Sequence, residues 1–148
     1  MIFSVVFSVN IISSAVSDEK SFIYNDIDSG SVAITGYTGT ESDIVVPGTL
    51  GGKTVKEIKS QAFSNNEKLE KLTIPSTVER FDCDKLDSCP KLKEIIVDDG
   101  NAKYASKDGV LFSKDFLYLY AYPAQKADES YSKRESNPIS PKRTVSRL

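Results

Sequence analysis

No histidine occurs anywhere in the chain, and that absence removes much ordinary proton-transfer chemistry. Histidine is the side chain best placed to exchange a proton near neutral pH. Without it, neither a Ser-His-Asp nor a Cys-His nucleophile can be assembled, and His-dependent metal sites are excluded. Carboxylates, thiols, phenols and amines remain. The acidic stretches Asp26-Ile-Asp28-Ser-Gly30 and Asp98-Asp99-Gly100-Asn101 offer oxygen ligands of the kind calcium takes. Neither runs on into a twelve-residue loop closed by Glu. Asp, Asn and Gly are also ordinary turn residues, so turns are the expectation. Cys83 and Cys89, six residues apart, could pair in a secreted chain, but free thiols are the expectation, Cys89 because it sits in an apolar register. Tyr118, Tyr120 and Tyr122 alternate and could stack on a sugar, although packing against a neighbouring unit is the commoner use. Lys133-Arg134 and Lys142-Arg143 are two isolated basic pairs, a weak patch for an anionic surface. An enzyme here would need two carboxylates converging in a pocket. The expectation is therefore a non-enzyme with no catalytic residue, cofactor or metal.

Charge narrows the partners. The net charge is −2, but residues 126–148 hold six Lys/Arg and three Asp/Glu, which leaves −5 on residues 1–125. An acidic body argues against nucleic acid, whose phosphates need a basic face. Met1 to Val16 are almost wholly apolar or small, and the first charge is Asp18. The stretch is too short to span a bilayer. Its apolar run and the small residues Ser13 and Ala15 fit a secretory signal over residues 1–15, cut before Val16. No lysine or arginine follows Met1, so the charged start of such a signal is missing, and a buried strand is the alternative reading of the segment. No second apolar run exists, so no membrane span is expected.

These groups must be positioned by something, and the chain repeats. Leu69, Leu72 and Ile74 recur as Leu92, Ile95 and Val97, at a constant offset of 23. The same offset carries Val55 to Val78, Ile58 to Phe81, Phe63 to Leu86 and Asn66 to Cys89. Seven positions in one register lie within the leucine-rich-repeat range of about 20–29 residues. A third copy, Ile44-Val-Val-Pro47, precedes Leu72-Thr-Ile-Pro75 at a longer offset of 28, the excess lying in a glycine-rich loop before Val55. Leu69, Leu72 and Ile74 point inward along a short strand, Thr73 points out, and Pro75 stops the strand. One unit cannot bury these groups alone, but stacked units share them as apolar ladders.

The flanks read differently. Phe22–Tyr24 and Ser31–Ile34 form one hairpin over residues 16–42, and Gly109–Phe112 with Phe116–Tyr120 form another over 100–126. Both are expected to cap the ladder. From about Ala127 no apolar periodicity survives, and the tail reads as disordered. The fold class is mainly β: a short leucine-rich-repeat solenoid over 43–99, flanked by β-hairpins.

The motifs Tyr37-Thr-Gly-Thr, Ile44-Val-Val-Pro47, Ala62-Phe63 and Leu69-Glu-Lys-Leu-Thr-Ile-Pro-Ser-Thr-Val78 resemble the BspA-type leucine-rich repeats of bacterial surface proteins. Asn101-Ala-Lys-Tyr104, Asp108-Gly-Val-Leu-Phe112 and Tyr122-Pro123 are similar to the hairpin that often follows such repeats. The likeness covers roughly residues 22–124. It implies a right-handed solenoid, extracellular display, and adhesion or protein–protein contact, with no shared catalytic residues. The second repeat departs, with Lys85-Leu86 where the family usually has Ala-Phe. After Tyr131 the expected Ile-Pro repeat is replaced by Ser132-Lys-Arg-Glu-Ser-Asn-Pro138, so the array reads as cut short.

The candidate binding face is the outward side of the short strands. Val45, Thr73 and Ile96 should align there, flanked by Asp43, Lys71 and Glu94. β-Branched residues also simply suit an open sheet. The expected partner is a protein or a host or matrix surface, and the expected state a monomer. The alternative is a non-catalytic spacer within a larger secreted enzyme.

Overall fold

A computed structural model describes residues 16–126, so the expected signal segment and the basic tail lie outside the described residues. Among the described residues eleven strands are arranged in three sheets, and helix is limited to single turns at Glu19–Ser21 and Leu86–Ser88. The fold is mainly β, as the short alternating segments indicate.

The first sheet carries the predicted register. Strands β3 (Asp43–Val45), β6 (Lys71–Ile74) and β8 (Glu94–Val97) run parallel in that order. Lys71 pairs with Glu94 and Ile74 with Val97, at the shorter repeat offset. Asp43 pairs with Lys71 and Val45 with Thr73, at the longer one. Ile44, Leu72 and Ile95 therefore stand side by side, each fully buried.

The insertion between the first two copies does more than loop out. Thr49–Leu50 forms β4 and folds back antiparallel on β5 (Lys53–Ile58). Gly51 and Gly52 make the turn at φ +57° and +78°. Two consecutive positive φ angles define the hairpin turn that suits twisted strands, and glycine adopts them without strain. A side chain at Gly51 would also meet the Tyr24 hydroxyl, 2.6 Å from an added Cβ.

The second sheet is built on the same period. β1 (Phe22–Asp28) and β2 (Ser31–Tyr37) form the expected first hairpin. β2 also pairs in parallel with β5, and Val32 opposite Val55 repeats the offset of the later copies. A bulge between Val32 and Ala33 then widens that offset, so that Ile34 faces Ile58. β5 continues onto β7 (Arg80–Phe81), with Ile58 opposite Phe81. The first hairpin is thus joined to the repeats as their first rung.

The ladder ends on polar residues. Asn101 follows Val78, and Tyr104 follows Phe81, at the same repeat offset. The Tyr104 hydroxyl accepts the Phe81 backbone N–H at 2.8 Å, where a further strand would otherwise bond. The Asn101 amide nitrogen donates to the carbonyls of Pro75 and Val78, both at 2.9 Å. Its oxygen accepts the N–H groups of Lys103 and Tyr104, both at 2.8 Å. Side chains thereby satisfy backbone groups that the sheet leaves open.

The third sheet contains the second expected hairpin and adds a strand to it. β10 (Val110–Ser113) pairs first with β9 (Tyr104–Lys107) through the tight Asp108-Gly109 turn. Its other edge takes β11 (Leu119–Ala121), with Leu111 opposite Ala121 and Phe112 opposite Leu119. The result is a three-stranded meander: the expected pairing within 100–126 is present as β10 with β11, and β9 is an additional strand. β9 was hidden because Tyr104-Ala-Ser-Lys107 lacks a clear apolar alternation.

Candidate functional site

The candidate face is formed by parallel pairing, which aligns equivalent residues of successive turns. Asp43, Lys71 and Glu94 make one row, and Val45, Thr73 and Ile96 the next but one. Between them Ile44, Leu72 and Ile95 point into the core. The structure therefore brings all six candidate residues together on one side. Asp43 is exposed, and the other five are half-buried. The Lys71 ammonium meets the Glu94 carboxylate at 3.2 Å. Both side chains are substantially exposed, so this pair contributes little to stability.

Both edges of this sheet are closed. Ser17 N donates to the Val45 carbonyl at 3.2 Å, and Val45 N donates to Ser17 Oγ at 3.0 Å. At the other edge Ile95 N donates to the Gly109 carbonyl and Val97 N to Ser106 Oγ, both at 2.9 Å. These groups occupy positions that an incoming strand would use. What the sheet presents is its row of side chains.

Opposite charges also recur at the repeat spacing, a signal that apolar periodicity alone did not reveal. Lys56 meets Glu79 at 3.3 Å, Arg80 meets Glu57 at 3.3 Å, and Lys93 meets Glu70 at 2.6 Å. Lys71 with Glu94 is a fourth pair, and all four join positions one repeat apart. Opposite charges facing each other support one strand register, whereas like charges would oppose it.

Glu57 is the unusual member, because its side chain is only 8% exposed. Burial pushes its carboxyl up, but hydrogen bonds and positive charge from Lys59 and Arg80 outweigh that and hold it below its ordinary value. Stabilisation by a carboxylate with a lowered pKa is complete above the unfolded value, near 4.5, and is lost as pH falls through the folded one. We expect Glu57→Gln to be less stable than the parent near neutral pH. The gap should narrow as the solution is acidified below pH 4.5. Melting temperatures across pH check this, and a gap independent of pH would contradict it.

Glu57 lies in an open groove of about 460 Å³ between the second sheet and Lys103, lined also by Asp28, Lys56, Glu79 and Arg80. Its charged groups of both signs largely face one another.

The remaining candidates have structural partners. Asp28 and Asp98 each accept the N–H of the glycine two residues on, Gly30 and Gly100, both at 2.8 Å. These are the turns expected of the acidic stretches. Among the described residues no cluster of three or more metal-ligating side chains occurs. Cys83 and Cys89 are free. The Cys89 thiol points at the Phe63 carbonyl, 3.0 Å away, and the Cys83 thiol at the Tyr120 carbonyl, 3.4 Å away. Burial pushes Cys89 up and Cys83 up to about 11, so neither is a ready nucleophile at neutral pH. The tyrosine stripe departs from expectation. Tyr120 packs edge-on against Tyr104 at 5.5 Å, but Tyr118 is 66% exposed. The tight turn over 113–118 holds Tyr118 outward, as Ser113 bonds its backbone on both sides.

No family model matches the sequence, and no curated protein sequence matches it. Solved structures do. A leucine-rich repeat protein of T. pallidum shares 30% identity at a TM-score of 0.52, over 58% of this chain and 41% of its own. The pneumococcal vaccine antigen PcpA shares 31% identity at a TM-score of 0.50, over 69% of this chain and 30% of its own. The chain thus spans less than half the length of either. No helix among the described residues is long and apolar enough to cross a membrane. Repeat register, fold and these likenesses agree with the resemblance read from the sequence: the chain is similar in structure to bacterial leucine-rich repeat proteins.

Proposed function

We propose that the chain is a non-catalytic protein-binding module, displayed at a bacterial surface or secreted, which engages its partner through the outward face of β3, β6 and β8. The observation that carries this reading is the alignment of Val45, Thr73 and Ile96 beside Asp43, Lys71 and Glu94, on a sheet whose edges are both closed. Recognition then falls to side chains: a β-branched row, apolar at Val45 and Ile96, for contact area and a charged row for orientation. Successive parallel rungs in two sheets support a short solenoid, an architecture that offers extended faces to partners. The likeness to a pneumococcal vaccine antigen supports surface display, and adhesion is one use of a displayed binding face. The apolar segment ending at Ala15 supports export by a secretory signal.

The test uses an immobilised extracellular-matrix preparation as probe. The double variant Thr73→Glu, Ile96→Glu adds two charges to the contact row. It should lose capture by tenfold or more, about 1.4 kcal/mol, with an unchanged circular dichroism spectrum. Capture equal to that of the parent would remove this face from consideration.

A further inference from the structure

Large apolar side chains left in solvent are not scattered over this molecule. Apart from Val16, those among the described residues fall on the two end strands and the turn leading into the last of them. Ile23, Tyr24 and Ile27 stand out from β1. The unbroken run Phe116–Tyr120 stands out at and before β11, each residue between 46% and 75% exposed. A run of five consecutive exposed apolar residues is not ordinary surface, and such patches mark contact sites.

The run is held in place. Phe116 N donates to the Ser113 carbonyl and Ser113 N to the Tyr118 carbonyl, both at 2.9 Å. Leu117 N donates to Asp115 Oδ1 at 3.1 Å, and Tyr118 N to Ser113 Oγ at 3.0 Å. Phe116 adopts φ +59°, a costly conformation for a bulky residue, and its ring rests on Phe112 at 5.7 Å. A preorganised tip loses little entropy when it binds.

The two patches lie at opposite ends of one stack. β1 precedes β2, the first parallel rung. At the far end Tyr104 packs on Phe81 of β7, and Tyr120 packs on Tyr104. Among the described residues, β1 pairs only with β2 and β11 only with β10, so each has an edge with no strand on it, although the Tyr120 carbonyl of β11 takes the Cys83 thiol. Such edges are templates for another strand. The ends also differ in charge. β1 carries Asp26 and Asp28 and no basic residue, although Asp26 is shared with Lys53 at 2.6 Å. Residues 103–126 carry four lysines (Lys103, Lys107, Lys114, Lys126) and two aspartates (Asp108, Asp115), a net +2. Tail against tail would oppose like charges. Head against tail sets opposite charges beside two apolar strips.

We propose that the chain self-associates head to tail, the β1 end of one copy docking on the Phe116–Ala121 end of the next. This differs from the monomer expected from the sequence, and it does not use the β3–β6–β8 face. A heterologous contact of this kind repeats and does not close by itself into a dimer.

The test is sedimentation of the full chain over a range of concentrations. The head variant is Ile23→Glu, Ile27→Glu, and the tail variant is Leu117→Glu, Leu119→Glu. All four positions are about half exposed or more, so folding should survive; matching dichroism and melting curves verify it, and the single variants Ile27→Glu and Leu117→Glu serve if a double variant does not fold. The parent's average mass should climb with concentration above the 16.3 kDa of one chain. Each variant alone should remain at one-chain mass. An equimolar mixture of the two should stop at two chains, because one intact head and one intact tail remain. A parent that stays at one-chain mass throughout overturns the proposal. So does a head variant that still assembles, which would mean tail-to-tail pairing.

Discussion

Replacing Leu72 with Ala should destabilise the fold by about 2–5 kcal/mol, a large share of the stability of so small a domain. Leu72 is fully buried in the middle strand of β3, β6 and β8, between Ile44 and Ile95. Truncation removes contacts to both neighbours at once. The cavity cannot relax easily, because the flanking rungs are pinned by ladder hydrogen bonds. The adjacent Thr73→Ala, on the half-buried outer row, should change stability by no more than about 0.5 kcal/mol. Urea titration of both variants measures the difference. Similar losses at the two positions would contradict the assignment of inner and outer rows.

Asn101→Ala should cost about 3 kcal/mol, although it removes only one small polar side chain. Four backbone groups lose a partner together: the Pro75 and Val78 carbonyls and the Lys103 and Tyr104 N–H groups, of which the Pro75 carbonyl keeps a long bond from Val78 N. Asn101 is 1% exposed, so water cannot readily replace it. The amide orientation follows from its neighbours, since carbonyls require the NH2 group and backbone N–H groups require the oxygen. Asn101→Asp keeps the acceptor but sets a carboxylate against two carbonyls. It should be no more stable than Asn101→Ala at neutral pH. An aspartate variant as stable as the parent would show that the two donated bonds do not matter.

Much of this architecture was legible because burial forces periodicity. Seven positions in one register, six of them apolar in both copies, located β6 against β8 and β5 against β7. The longer offset located β3, and Gly51-Gly52 located the insertion. Other parts were not legible, for physical reasons. Val32 stands one repeat before Val55, but the bulge after Val32 breaks the register before a second match appears. Asn101 and Tyr104 continue the same ladder in polar form, because their work is to end it rather than extend it. Glu57 reads as one more surface charge, and only the fold brings Lys59 and Arg80 beside it. The candidate face itself was readable residue by residue, since parallel pairing transmits the repeat directly into neighbouring positions. The closure of its edges by Ser17, Ser106 and Gly109 was not, because those bonds come from outside the repeats.

The functional claim is that one sheet face, and not the charged face of the other sheet, meets the partner. The most direct measurement compares two double variants on the same immobilised matrix preparation. Thr73→Glu with Ile96→Glu alters the β3–β6–β8 face. Lys56→Gln with Arg80→Gln removes the positive charges of exposed side chains of β5 and β7 without setting like charges against Glu79 and Glu57. Loss of capture is predicted for the first pair and retention for the second, with both proteins folded. Retention by the first pair with loss by the second would contradict the claim and move the binding surface to the other sheet.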